Sequence, residues 1–207
     1  METPAVAMNW RIRGYRPGDE AALAEVCVRT GAMGGDASGL FDPPGLLPDI
    51  YLNPYLAHCP DLAWVVADGR KPPVGYLVAT ADTLEFDQWF ATQWWPSVAQ
   101  RYPRAEHPTT LQELVTEAGY THGSTRDPLA AEYPAQLHID LLPVLQGQGF
   151  GRRLIEVLCE ALVARGVPGV HLGASKDNSG AIAFYHRLGF TPLPSPEGTQ
   201  WFGKRLG

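Results

Sequence analysis

Hydrophobic and polar residues alternate along the segment LHIDLL, which starts at Leu137, and change to helical spacing from Phe150 onward. In an extended strand, successive side chains point to opposite faces. The two faces carry Leu137, Ile139 and Leu141 on one side and His138, Asp140 and Leu142 on the other. After Phe150 the apolar residues recur every three or four positions until Gly166. The pattern predicts a buried strand, a glycine-containing turn and an amphipathic helix.

The rest of the chain shows the same two patterns, separated by turns that contain glycine and proline. Further strands are predicted over residues 10–15, 62–67, 74–81, 169–174, from 189 and over 200–206. Helices are predicted over 21–29, 46–58 with an interruption at Pro54, 86–101, 111–118 and 177–187. This order predicts one α/β domain over residues 1–207, with a twisted mixed sheet of about seven strands and helices on both faces. We interpret residues 82–136 as a helical insertion.

The composition is that of a domain that buries its own core without disulfides. The chain has 207 residues, of which 45% are hydrophobic. Cys27, Cys59 and Cys159 lie in apolar surroundings and are interpreted as thiols of a reducing compartment, so we expect a cytoplasmic protein. No apolar run is long enough to span a bilayer, and a net charge of −6 argues against nucleic acid. We therefore expect neither a membrane nor a nucleic acid as partner.

The turn before the long helix, Gln146-Gly147-Gln148-Gly149-Phe150-Gly151, has the features of an anion site. Glycines let the backbone approach a ligand, and the first N–H groups of a helix have no partner within it. Arg152 and Arg153 add positive charge at the same end. A pyrophosphate fits such a site, and a glycine-rich turn without a ligand is the alternative. The sequence contains neither a P-loop motif nor the acidic residue of a dinucleotide site.

Two motifs in this order resemble one superfamily. Pro143-x-x-Gln146-x-x-Gly149-x-Gly151 is similar to the coenzyme A loop of the GNAT superfamily of N-acetyltransferases, and Asn178-x-x-Ala181-x-x-Phe184-Tyr185-x-x-x-Gly189-Phe190 resembles its second signature. The resemblance implies the GNAT fold, acetyl-CoA as the cofactor and an amine as the acceptor.

Scattered short matches narrow the resemblance further. They are Ile12-Arg13-x-Tyr15-x-Pro17-x-Asp19-Glu20, Gly75-Tyr76, Thr80-x-Asp82 and His138-x-Asp140-x-Leu142-Pro143. These resemble the acetyltransferase-like C-terminal domain of O-GlcNAcases, and the intact glycine loop suggests a bacterial-type relative that still binds the cofactor. A glycoside hydrolase module is not present in the sequence, so sugar hydrolysis is not implied.

The resemblance also assigns cofactor contacts. The main chain of Leu141 and Leu142 is expected to pair with pantetheine, and Asn178 to bind the pantetheine arm. The pyrophosphate is assigned to the loop and the start of the helix, with Gln146, Gly147, Gln148, Gly149, Phe150, Gly151 and Arg152. Tyr185 occupies the position of a tyrosine that protonates the leaving thiolate in relatives. The alternative is a tyrosine that only packs its ring.

Four carboxylates and three ring side chains are candidates for the acceptor half of the site. Asp140, on the same strand face as His138, is a candidate general base, with Asp82 and Glu85 as rivals. A structural role for Asp140 is the alternative. Asp36, in the glycine-rich loop 31–45, and His138 are expected to border the acceptor. Trp89 and Trp95 in the insertion either wall an acceptor pocket or pack the extra helix against the sheet.

The sequence therefore predicts an N-acetyltransferase that transfers an acetyl group from acetyl-CoA to an amine by direct attack. A domain of the same shape that binds acetyl-CoA or a peptide without turnover is the first alternative, and transfer of another acyl group is the second. The acceptor is expected to be a small molecule or a peptide. We expect no metal site, and a monomer or a homodimer.

Overall fold

A mixed sheet forms the centre of the computed structural model, which describes residues 8–69, 71–124 and 127–207. Its strands are β1 (Trp10–Gly14), β2 (Ala63–Asp68), β3 (Gly75–Thr80), β4 (Ala135–Leu141), β5 (Gly169–Ser175), β6 (Thr191–Leu193) and β7 (Thr199–Arg205). They lie in the order β1-β2-β3-β4-β5-β7-β6. Neighbouring strands are antiparallel except for β4 and β5, which are parallel. The predicted α/β class and mixed seven-stranded sheet are confirmed.

Helices cover both faces of the sheet, as predicted. They are α1 (Glu20–Thr30), α2 (Leu46–Tyr51), α3 (Asn53–His58), α4 (Thr83–Trp89), α5 (Trp95–Val98), α6 (Leu111–Thr121), α7 (Phe150–Ala164) and α8 (Ser179–Arg187). The first six pack on the face that carries Tyr76 and Val78, and α7 and α8 pack on the face that carries Leu77 and Leu137. None of the helices in the described ranges has the length and apolar character needed to cross a membrane.

The sheet opens between β4 and β5, and this opening positions the candidate site. The two strands pair only at Ala135 with Val170 and at Gln136 with His171. The N–H of Leu142 donates to the Val74 carbonyl of the β3 side at 3.0 Å. Because the hydrogen-bonding direction alternates along a strand, the backbone groups of Leu141 point to the opposite edge, into the opening. The main chain there is free to pair with an extended ligand.

Buried Asp49 anchors the insertion to the helices beside it. Its carboxylate accepts from Tyr102 and pairs with Arg101 at 2.8 Å, and its carbonyl accepts the indole N–H of Trp94 at 2.7 Å. Asn53 donates to the same carboxylate at 2.8 Å. These bonds satisfy a buried charge that would otherwise be costly, and they hold α4–α6 on the α1 side of the sheet.

Two helix boundaries differ from the predictions for physical reasons. The interruption predicted at Pro54 falls at Leu52 (φ −131°, ψ −65°), because proline is tolerated in the first turn of α3, where no N–H is needed. The helix predicted from residue 86 begins at Thr83, because the Asp82 side chain accepts the N–H groups of Leu84 and Glu85. A π-helical turn, Phe90–Trp94, then interrupts it.

Candidate active site

A cavity of about 720 Å³ lies in the opening between β4 and β5. Both diverging strands line it, together with the end of α1, the loop 31–45, one face of α6 and the start of α8. The sequence-predicted residues that line it are His138, Asp140, Leu141, Gln146, Asn178 and Tyr185. The fold therefore brings the strand, the start of the glycine loop and the second motif to one site.

The glycine loop has the backbone that an anion site needs. Gly147 (φ 73°) and Gly149 (φ 78°) are left-handed, a conformation that other residues rarely adopt. The first helical bond of α7 runs from the Arg153 N–H to the Gly149 carbonyl at 3.2 Å, so the preceding N–H groups have no helical partner. At Gly151 a Cβ would lie 2.9 Å from the Phe184 ring, so the two motifs pack in contact.

The flanking side chains of this loop divide between solvent and core. Gln148 and Arg152 are exposed, whereas Phe150 is buried beneath the loop. Arg153 lies over the Phe150 ring at 4.9 Å. Leu142 is also buried and turns away from the cavity. Of the residues predicted to bind the cofactor, Phe150 could therefore contribute only backbone groups. Leu142 offers neither its side chain nor its main chain, because its N–H donates to the Val74 carbonyl and its carbonyl accepts from the Leu145 N–H.

Asp140 is held by a partner on β3 and faces the end of α1. Fully buried Tyr76, its cross-strand neighbour, donates a hydrogen bond to the carboxylate, and Thr30 and Cys27 line the cavity beside it. Burial raises the pKa of Asp140, and the hydrogen bond from Tyr76 opposes that rise. Burial and the charge of Asp140 raise the pKa of the Cys27 thiol to about 12, so this thiol stays protonated.

His138 contributes a neutral imidazole to the cavity. Its ring lies 5.5 Å from the Tyr51 ring and 5.3 Å from the Tyr55 ring. Burial lowers the pKa of His138 to about 4, so the ring carries no charge at neutral pH. Asp140 is the single acidic side chain among the described residues that line the cavity.

Tyr185 combines a packed ring with a free hydroxyl. The ring lies 5.6 Å from both Phe190 and Phe202, and only 8% of the residue is exposed. Its hydroxyl makes no hydrogen bond within the described residues, and the residue lines the cavity. Burial, with a smaller contribution from the Asp140 charge, raises the pKa of Tyr185, so the phenol is a proton donor at neutral pH.

The loop 31–45 crosses the cavity and is tied at two points. Asn178 caps α8 by accepting the Ala181 N–H at 2.9 Å, and its amide nitrogen donates to the Met33 carbonyl at 3.1 Å. On the other side, Gln112 of α6 exchanges two hydrogen bonds with the main chain of Asp42, at 3.0 and 2.7 Å. Asp36 lies outside the cavity, exposed, and accepts the Ser38 N–H.

Four other residues predicted from the sequence also lie away from the cavity, because each has a partner elsewhere. Asp82 caps α4, and exposed Glu85 pairs with His58 at 2.9 Å. The Trp89 ring stacks on the same histidine at 4.3 Å, and Trp95 is buried inside the insertion. We therefore assign none of the four, nor Asp36, a direct contact with the reacting groups.

The sequence interpretation missed the residues around Asp140 and His138. Tyr76 was noted only as part of a resemblance and Cys27 only as a free thiol, and Thr30 and Tyr51 were not singled out. The alternation of β3 places Tyr76 on the α1 face, but its contact with Asp140 depends on the pairing register, which the sequence does not state. Gln112, which ties the loop, gave no local signal.

The parallel strands β4 and β5 are splayed, and a glycine loop at the start of α7 follows β4. Residues 40–190 match the model of the Acetyltransferase (GNAT) family, and the chain belongs to that family. The predicted superfamily is thereby confirmed.

Solved structures agree with this assignment. The crystal structure of SsHAT is 40% identical, with a TM-score of 0.90, and the match covers 95% of this chain and 98% of that one. The PaiA N-acetyltransferase of Thermoplasma acidophilum, in complex with coenzyme A, is 13% identical over 96% of this chain and 99% of its own, with a TM-score of 0.57. The yncA structure of Salmonella typhimurium, with its cofactor acetyl-CoA, is 16% identical over 96% and 94%, with a TM-score of 0.55. The last two show a common fold.

Proposed function

We propose that this protein is an N-acetyltransferase that takes its acetyl group from acetyl-CoA and passes it directly to an amine. The observation that carries the proposal is that Asp140 and Tyr185, a base and an acid, line one cavity at the opening of the sheet. Membership of an acetyltransferase family supports the reaction class, and neighbours of the same fold hold coenzyme A or acetyl-CoA.

The residues at the opening fit coenzyme A. The left-handed glycines and the N–H groups of the first turn of α7 suit a pyrophosphate, and the free edge of β4 at Leu141 suits the amide groups of pantetheine. Asn178 lies beside the expected position of pantetheine. Its amide nitrogen donates to the Met33 carbonyl and would donate to a ligand oxygen instead when the cofactor binds. When bound, acetyl-CoA supplies an acyl thioester with a thiol leaving group.

Two cavity residues carry out the two proton transfers of the reaction, one at the amine and one at the sulfur atom. Asp140, fixed by Tyr76, accepts a proton from the acceptor ammonium, directly or through one water. Its raised pKa brings the carboxylate closer to the pKa of an amine and makes it a better base than an exposed aspartate. The Tyr185 hydroxyl donates to the sulfur atom as the thiol leaves. Orientation of both partners supplies much of the remaining rate enhancement, about 7–11 kcal/mol in well-aligned reactions.

Replacement of Tyr185 by phenylalanine should lower kcat by roughly 10²-fold, the lower end of the usual contribution of a general acid, because the acid is lost while the ring packing is kept. The melting temperature should hardly change, since the hydroxyl has no partner in the described residues. A thioester with a less basic leaving thiol should lose less activity on the same substitution, because its thiolate needs no acid. An unchanged kcat with acetyl-CoA would leave Tyr185 with only a packing role.

Substitution of Gly149 by valine should abolish the rise in melting temperature that acetyl-CoA causes, which is about 2.7 kcal/mol of stability at 100 times the dissociation constant. Valine is strained at a φ of 78° and would turn the N–H donors away from the ligand. Gly166→Val is the matched control, because Gly166 ends the same helix region with a φ of 71° and open space around it. Equal ligand responses in the two variants would refute the loop assignment.

A binding domain without turnover is a second candidate, favoured by the engagement of Asn178 with Met33. Release of free thiol from acetyl-CoA in the presence of amines separates an enzyme from a binding domain.

The likeness to the acetyltransferase-like domain of O-GlcNAcases, which rests on the short motifs, is part of the same proposal. So is a cytoplasmic location, which the free thiols of Cys27, Cys59 and Cys159 support.

A further inference from the structure

The acceptor half of the cavity contains a single acidic side chain, Asp140. This half lies on the α1 side of the opening, where Phe41, Leu47 and Tyr51 also line the cavity. Lysine, arginine and glutamate are absent from the described residues that line the cavity, and His138 is neutral. One ammonium group can therefore be matched by a carboxylate, and a second charge would have no partner.

The mouth of this half is apolar although it faces solvent. Met33 and Leu40 of the loop and Leu111 of α6 line the cavity with 61%, 49% and 56% of their surfaces exposed. Leu114, one turn further along α6, is 55% exposed. Large apolar side chains grouped around a cavity mouth are characteristic of ligand sites, because a ligand would remove their surface from water.

We propose that the acceptor is a primary monoamine on an apolar body the size of an aromatic ring, with no second charge near the amine. This inference rests on the proposed acetyl transfer and names its substrate class. The ammonium group pairs with Asp140, and the apolar body contacts Leu40, Leu111 and Tyr51. Polyamines and lysine-rich peptides are poorer acceptors, because their further charges would lie against the apolar mouth.

The first test compares kcat/KM for phenethylamine, spermidine and a lysine-rich peptide, by release of free thiol from acetyl-CoA. Phenethylamine should exceed the other two by roughly 10–100-fold, as expected from burial of a ring. Spermidine or the peptide as the best acceptor would overturn the inference. Where turnover is too slow to rank them, binding of the same amines to the protein loaded with coenzyme A supplies the ranking, with the same two outcomes.

The second test places a carboxylate at the mouth. Leu111→Asp should raise the spermidine-to-phenethylamine ratio of kcat/KM by about 10-fold, because it adds a partner for a second charge and removes an apolar contact. An aspartate is well tolerated at Leu111, the first residue of α6. Val163→Asp, on the exposed side of α7 and outside the cavity, is the control and should leave the ratio unchanged.

An unchanged ratio in Leu111→Asp, or an equal change in both variants, would show that the mouth does not contact the acceptor. The proposed function fails in a different way: acetyl-CoA would then neither raise the melting temperature nor release thiol with any amine. If acetyl-CoA still binds but spermidine or the lysine-rich peptide is the better acceptor, only the proposed substrate class is contradicted.

Discussion

Replacement of Asp140 by asparagine is expected to lower kcat by about 10²–10⁴-fold, the usual contribution of a positioned general base. Asparagine has nearly the same shape and can still accept the hydrogen bond from Tyr76, so the cavity is preserved. It cannot take a proton from the acceptor ammonium. The affinity for acetyl-CoA, measured by thermal shift, should be unchanged because Asp140 lies on the acceptor side.

The same substitution should raise stability at neutral pH. Burial raises the pKa of Asp140 in the folded protein, so the folded state holds this proton more tightly than the unfolded chain. The contribution of Asp140 to stability therefore falls as pH rises from its unfolded pKa through its folded pKa. Asp140→Asn removes that cost above the folded pKa. Its melting temperature should exceed that of the parent at pH ~7, and the difference should vanish below pH ~4.

The pH profile and two control variants identify the base. The low-pH limb of the kcat/KM profile should be lost in Asp140→Asn. A limb that remains in this variant and moves when an acceptor of different pKa is used belongs to the amine. Asp82→Asn and Glu85→Gln should keep near-normal turnover, because these side chains serve the start of α4 and the pair with His58. Normal turnover of Asp140→Asn, with loss in either control, would move the base to α4.

Local patterns were sufficient for the parts of the fold that depend on neighbouring residues. The alternation at Leu137–Leu141 and the helical spacing after Phe150 correspond to β4 and α7. The glycines of the loop were identified from the motif, and the structure gives Gly147 and Gly149 a left-handed backbone and packs Gly151 closely. The tyrosine and asparagine of the second motif lie at the same cavity, because α8 follows the strand that borders the opening.

The partners of these residues depend on register and on loops that the sequence does not specify. Tyr76 reaches Asp140 through the pairing of β3 with β4, and the loop is tied by Gln112, 70 positions from Asp42. At Asp82, however, a local signal was available. An aspartate followed three residues later by Glu85, before an apolar run, is the usual start of a helix, and the structure shows that cap.

The tryptophans of the insertion show why composition alone does not identify a pocket wall. Trp95 is 4% exposed and stacks between Phe90 and Tyr102, at 6.0 and 5.8 Å, with the Tyr120 ring against its edge. A Cβ at Gly119 would lie 2.3 Å from the ring, so α6 rests directly on it. Trp95 therefore supports the helix that lines the cavity without reaching the cavity itself.

Replacement of Trp95 by alanine is accordingly expected to lower the free energy of unfolding by about 3–5 kcal/mol, the cost of deleting a buried aromatic side chain. For a domain of this length the melting temperature should fall by roughly 6–20 °C. Trp95→Phe is the matched control. It keeps the stacking and removes an indole N–H that is buried without a partner in the described residues, so it should cost less than about 1.5 kcal/mol. Both variants should bind acetyl-CoA normally below their melting temperatures. Loss of acceptor affinity in Trp95→Ala at full stability would instead place this ring in the acceptor pocket.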